Sequence, residues 1–177
     1  MTPIDGSHNT QQASRCPSCG EQGRGVHPIT LQRLLVPEAL DRLTTLEGFR
    51  FCANTQCEVV YYHPEHGQRL GQPDVRVPVW QKGTNPARLV CYCFQHTVAE
   101  IEHEVTETGA SPTCDAIIQH CQQGLSRCEE TNPQGACCVG NVRHIIQKTQ
   151  ATRAMPSEHR HRCSCCADES DAAADVP

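Results

Sequence analysis

Phe49-Arg50-Phe51-Cys52-Ala53-Asn54-Thr55-Gln56-Cys57-Glu58-Val59-Val60-Tyr61-Tyr62 decides how the chain begins to fold. Two runs rich in aromatic and β-branched residues flank a short polar turn, the pattern of two strands joined by a turn. A cysteine stands at each end of that turn. Upstream, Cys16-Pro17-Ser18-Cys19-Gly20 supplies a second pair, with Pro and Gly suited to a tight turn. A two-residue gap lets both sulfurs reach one ion at about 2.3 Å, the zinc–sulfur distance. The four-residue gap from Cys52 to Cys57 lies at the wide end of what structural zinc sites use. Cys16, Cys19, Cys52 and Cys57 are therefore a candidate four-thiolate zinc site. Rubredoxin-like iron, a ligand exchange with His27, His63 or His66, and ordinary buried cysteines also fit the spacing. Four full ligands leave no open position, so no catalysis is expected there.

Working outward, Thr30 precedes Leu31, Leu34 and Leu35, and Leu40 and Leu43 follow. This spacing predicts short amphipathic helices interrupted at Pro37 and packed against the cysteine site. Val75, Val77 and Val79 alternate, which predicts an edge strand. Residues 15–80 thus read as a small α/β zinc-binding domain behind a disordered leader, 1–14, and residues 81–88 read as a linker.

From residue 89 the pattern turns helical. Thr97 with Glu100 matches a capping box, and Val98, Ile101 and Val105 share one face. Gly109 stops that helix, and Ser111-Pro112 opens another carrying Ile117, Ile118 and Cys121. After a loop at 129–136, a third helix carries Val142, Ile145 and Ile146. The fold class is α+β, with a helical second domain over residues 89–149. Residues 150–177 lack apolar periodicity and read as a flexible tail.

The helical block has its own cysteines. Cys91-Tyr92-Cys93 sits just before a helix N-terminus, whose amides and positive dipole end favour an anionic group. A one-residue gap suits an iron–sulfur cluster, in which ligands are shared between irons, better than one tetrahedral ion. The remaining ligands must come from the following loop, with Cys128 at its start and Cys137 and Cys138 at its end. Cys114 and Cys121, seven apart on one helix, read as small core residues.

Fourteen of the 177 residues are cysteine, while aromatic residues make up only 4%. So lean a core needs staples. Residues 1–15 are polar with no apolar signal region, and no stretch approaches the 18 apolar residues of a membrane span. A cytoplasmic setting follows, where clustered cysteines are metal ligands more often than disulfides. The formal charge is −5. Two four-thiolate metal centres would carry it to roughly −9. That field disfavours nucleic acid and favours a protein redox or metal-transfer partner with a basic docking patch. Neither nucleic acid nor membrane insertion is expected.

The residues resemble a known family. Cys91-Tyr92-Cys93-Phe94, Cys128-Glu129-Glu130-Thr131-Asn132-Pro133 and Gly135-Ala136-Cys137-Cys138-Val139-Gly140 look like the iron–sulfur part of the CopZ family of copper chaperones. That part is itself similar to bacterioferritin-associated ferredoxin, a small helix-turn-helix 2Fe–2S module. Cys16-Pro17-Ser18-Cys19-Gly20, Phe51-Cys52 and Cys57-Glu58-Val59-Val60-Tyr61 resemble the family's zinc domain, and the resemblance covers roughly residues 15–148. It implies a 2Fe–2S cluster on Cys91, Cys93, Cys128 and Cys138. The nine-residue gap to Cys138 fits the family better than the eight-residue gap to Cys137, which becomes a packing or spare cysteine. Full-length chaperones of the family end in a ferredoxin-like metal-binding domain. This sequence is expected to lack it and to carry instead the tail His159-Arg160-His161-Arg162-Cys163-Ser164-Cys165-Cys166. There His159, His161, Cys163, Cys165 and Cys166 form a candidate soft-metal set suited to Cu(I), zinc or mercury.

The expected function is soft-metal, copper-type trafficking or reduction by one-electron transfer, with Zn and a 2Fe–2S cluster as cofactors and Cu(I) as the tail's candidate ion. A ferredoxin-like electron carrier for a protein partner is the alternative. A non-redox interaction module stapled by metals is the alternative of another class. No catalytic constellation stands out, so no turnover beyond metal-ion reduction is expected.

Overall fold

The computed structural model describes residues 14–154. Strand β1 is Arg24–Gly25. Helix α1 is Pro28–Leu34, with Pro in its first turn, where the missing N–H costs nothing. The chain then leaves helical geometry at Leu35 and resumes it in the single turn α2, Pro37–Leu40. Pro37 makes the expected break, because a residue before proline is pushed to extended backbone. Strands β2 (Arg50–Phe51), β3 (Val59–Tyr62) and β4 (Arg69–Gly71) complete an antiparallel sheet in the order β1-β2-β3-β4.

All four β3 residues are buried. A register shift between Val59 and Tyr61 lets the strand serve two sides. Val60 and Tyr61 join Leu31, Leu34, Leu35, Ala39, Phe49, Phe51 and Leu70 in the main core. Val59 and Tyr62 face Cys16, Cys52 and Cys57. β3 is therefore the wall between the apolar core and the cysteines. Each fully buried Leu or Phe contributes roughly 1.5–3 kcal/mol to that core.

The expected edge strand at Val75, Val77 and Val79 does not form. Gln72–Asp74 is a 3₁₀ turn, and Val75 makes only an isolated bridge to Leu35. Val75 and Val79 are still buried. The place of a partner strand is taken by the Gln72 side chain, whose Nε2 donates to Val77 O at 3.0 Å and whose Oε1 accepts from Val79 N at 2.9 Å. Pro73 and Pro78 lack the N–H groups a ladder needs, so alternation produced burial without a strand.

The segment 81–88 is tied to both sides. A 3₁₀ turn spans Trp80–Lys82, and Lys82 Nζ donates to Asn54 O and Cys57 O. Gln81 Nε2 donates to Gln134 Oε1, and Trp80 packs against the second core.

The second block starts with the hairpin β5 (Leu89–Cys91) and β6 (His96–Thr97). Helix α3, Val98–Thr108, opens on the predicted Thr97–Glu100 capping box and closes at Gly109, whose φ of 81° suits glycine. Helix α4 is Pro112–Gln122, capped by Ser111. Cys128–Thr131 forms the single turn α5, so the expected loop begins as a helix. Helix α6, Val139–Ala154, packs on α3 and continues five residues past the boundary read from the apolar pattern. Val90, Val98, Ile101, Val105, Ile117, Val142 and Ile145 form the second core. The architecture is mixed α/β, a small antiparallel sheet with helices. Among the described residues no helix is long and apolar enough to cross a membrane.

Candidate metal centres

Two turns bring the first cysteines together. In the N-terminal turn Gly20 N donates to Cys16 O at 2.8 Å, with Gly20 at φ 74°. In the second, Cys52 follows β2 and Cys57 N closes on Asn54 O at 3.2 Å. The four sulfurs all lie within 4.8 Å of one another. Cys16 Sγ is 3.9 Å from Cys57 Sγ, and Cys19 Sγ is 3.6 Å from Cys52 Sγ. Four sulfurs at 2.3 Å from a tetrahedral ion would stand about 3.8 Å apart. The donors and their spacing fit zinc.

Backbone amides also face these thiols: Ser18 and Cys19 toward Cys16, Asn54 toward Cys52, Val59 toward Cys57. Burial pushes Cys52 up to about 12 and also raises Cys57, whereas at Cys16 burial is outweighed by the Cys19 and Ser18 amides together with the Cys19 and Cys52 thiols, and the pKa is lowered. His27, His63 and His66 stand outside the group. His63 is instead packed edge-on against Phe49, with Nδ1 accepting from Glu65 N and His66 N.

The second set gathers differently. Cys93 Sγ is 3.4 Å from Cys128 Sγ, and the Cys138 side chain contacts both Cys91 and Cys128. The structure thus joins Cys91, Cys138, Cys128 and Cys93 in a chain of contacts rather than one four-fold cage. Cys91 and Cys138 are buried, while Cys93 and Cys128 lie toward the surface. Cys137 is exposed and touches Cys128 and Cys121. Hydrogen bonding from Cys138 brings Cys91 down to about 7 and Cys128 down to about 6, and the same contacts raise Cys138 itself. Burial lifts Cys93 to about 11.

The amides on these sulfurs come from Phe94 to Cys91, Arg127 to Cys93 at 3.3 Å, and Cys138 to Cys128. The helix start beside the thiols is thus that of α6, which Cys138 precedes. The expected role of the helix after Cys93 is not met, because β6 intervenes and the first turn of α3 is closed by its own capping box.

Several supporting residues escaped the sequence reading. Thr131 Oγ1 is 3.1 Å from Cys93 Sγ, a contact that a threonine three residues after Cys128 makes once that loop is a helical turn. Asn132 Nδ2 donates to Ala136 O, and Gln134 Nε2 donates to Cys137 O, stiffening the run into Cys138. Thr30 Oγ1 donates to Glu129 O at 2.6 Å, joining the two blocks. Cys114 is buried in the second core, as read, whereas Cys121 is only partly buried. His159, His161, Cys163, Cys165 and Cys166 lie outside the described residues, as do residues 1–13 of the leader.

Residues 13–76 match the family model of the CopZ zinc binding domain. The copper chaperone CopZ of Archaeoglobus fulgidus is 32% identical over 133 residues, which is 74% of this chain and 61% of that protein. The matched part of the chain therefore spans about three-fifths of that relative. The X-ray structure of the Archaeoglobus fulgidus CopZ N-terminal domain superposes with a TM-score of 0.60 at 25% identity, covering 74% of this chain and 96% of that one.

Proposed function

We propose, from the match of residues 13–76 to the CopZ zinc binding domain and the 32% identity to a CopZ copper chaperone, that the chain is a cytoplasmic zinc and iron–sulfur protein serving soft-metal trafficking by one-electron transfer. Cys16, Cys19, Cys52 and Cys57 hold zinc as a structural ion, since a closed four-thiolate set contributes folding energy and offers no open position. Cys91, Cys93, Cys128 and Cys138 hold a 2Fe–2S cluster, which takes up and releases a single electron when bound.

The observation that carries this reading is the second set itself: four thiols in contact, met by three backbone amides. N–H donors on cluster sulfurs stabilise an anionic group and tune its potential. Val90, Val142 and the other residues of the second core exclude water from the side of Cys91 and Cys138. Cys93 and Cys128 face outward, and Cys128 lines a surface cavity of about 680 Å³. A cluster bound there would have Cys93 and Cys128 at the edge from which an electron could pass to Cu(II) or to a protein partner, whose basic patch would be matched by the chain's formal charge of −5. His159, His161, Cys163, Cys165 and Cys166 are the residue types that retain Cu(I).

The test is redox titration of anaerobically purified protein, followed by addition of one equivalent of Cu(II). A reversible one-electron wave, with one Cu(I) formed per reduced chain, supports the reading. A reversible wave without Cu(II) reduction reassigns the protein as a plain electron carrier. No wave in iron-loaded protein removes redox function.

A further inference from the structure

Only two of the chain's fifteen Lys and Arg residues are lysine, Lys82 and Lys148, and it has a single tryptophan, Trp80. All three line one cavity of about 470 Å³. Trp80 and Lys82 come from the 3₁₀ turn that is tied to both blocks, and Lys148 from α6. Arg88 lines the cavity too, with its guanidinium over the Trp80 ring at 5.7 Å from the centroid. Glu102 of α3 is the one acidic residue in the lining. Three cations therefore face one carboxylate, in a chain whose formal charge is −5.

We infer that this cavity binds a small molecule bearing a phosphate group. Its cations have hydrogen-bond donors to spare. Lys82 Nζ donates to Asn54 O at 2.6 Å and to Cys57 O at 3.0 Å, which fixes the ammonium in place and leaves an N–H unspent. Arg88 Nε donates to Trp80 O and Nη1 to Asn85 O, leaving Nη2 unspent. The Lys148 ammonium has no hydrogen-bond or ion-pair partner among the described residues. Trp80 Nε1 is buried and also lacks an acceptor, so a further lining residue carries an unused donor. Lysine meets phosphate as a point charge and arginine as a fork of N–H groups. Sites for small molecules occupy about 300–1,000 Å³, more than a bare phosphate needs. Val98 and Ile145, also in the lining, receive the apolar part of a phosphate ester. A long polyanion is disfavoured, because the acidic chain repels whatever extends beyond the cavity.

This site goes beyond the proposed function and does not rest on it. The experiment titrates full-length, metal-loaded protein with inorganic phosphate and, separately, with glycerol phosphate. Binding is read by calorimetry and by the fluorescence of Trp80, the sole indole, with zinc and iron contents measured on the same samples. Saturable binding of one ligand per chain is expected, weakening as salt is added. Tighter binding of the ester identifies an organic phosphate as the occupant, and equal affinity identifies free phosphate. Lys148→Gln, a change at an exposed side chain, should weaken binding roughly tenfold or more, the scale of a lost hydrogen bond to a charged group. Glu102→Gln should strengthen it, and Arg143→Gln, on the same helix as Lys148 but outside the cavity, should leave it unchanged. The same response to potassium chloride at matched ionic strength, or equal affinity in wild type and Lys148→Gln, overturns the site. Metal contents report on the two cysteine sets independently.

Discussion

The hydroxyl of Tyr61, on the interior strand β3, donates to the carbonyl oxygen of Pro133 at 2.6 Å. The bond is buried and links residues 72 apart in sequence, one in the sheet beside the zinc site and one in the loop between Cys128 and Cys138. Burial drives the Tyr61 phenol well above its ordinary pKa, so it stays a neutral donor. With the Thr30–Glu129 bond, it makes the zinc-bearing block the support on which the second set's loop is laid.

Tyr61→Phe should therefore lower stability by about 1–3 kcal/mol, the cost of leaving a buried carbonyl without its donor. Zinc content should be unchanged, while amide exchange over residues 128–137 should quicken. Protection as in wild type would show that the bond does not hold the loop.

Gly135→Ala should disturb the same seam from the other side. Gly135 has φ 63°, and an added Cβ would stand 3.1 Å from Thr30 Oγ1 and 3.2 Å from Val26 Cγ1. Backbone strain and crowding together predict destabilisation of about 1–3 kcal/mol. Thermal unfolding at fixed zinc loading measures it, and a midpoint equal to wild type would contradict the close packing.

Much of this was legible in residues 49–62 and in the capping signals. Phe49–Tyr62 gave two strands because its apolar residues have burial on both sides of the sheet, and Thr97, Glu100 and Gly109 marked helix ends through local chemistry. Val75, Val77 and Val79 misled, because alternation records burial and a Gln72 side chain can replace a strand. The seam was invisible, since Tyr61 and Pro133 belong to segments with no shared local pattern.

Cys52→Ser should release zinc and loosen residues 15–80, because metal binding is folding energy for a small unit. Through Tyr61 and Thr30 the loosening should reach residues 128–135 as faster amide exchange. Zinc retained at one ion per chain, measured by metal analysis, would contradict the four-thiolate assignment.

Glu104 predicts a pH dependence. Burial raises its pKa, but Ser111 Oγ and Thr113 Oγ1, each at 2.6 Å, and the Thr113 amide together hold it below the usual value. A depressed carboxyl contributes stability above its unfolded pKa of about 4.3 and loses it as pH falls through the folded value. Glu104→Ala should thus cost about 1–2 kcal/mol near pH 7. The difference from wild type should shrink below about pH 4, near and under the unfolded carboxyl pKa. A pH-independent difference in denaturant midpoints would mean the charge plays no part.

Iron and acid-labile sulfide analysis with EPR, on protein purified without oxygen, addresses the central claim. Wild type should be red-brown with about two irons and two sulfides per chain, and reduction should produce the signal of a single unpaired electron. Cys138→Ser should bleach or distort that signal, whereas Cys137→Ser should leave it nearly intact, because Cys138 is the buried thiol that touches Cys91 and Cys128 and Cys137 is exposed. A colourless, iron-free protein that cannot be reconstituted, or a larger effect at Cys137, would contradict the account.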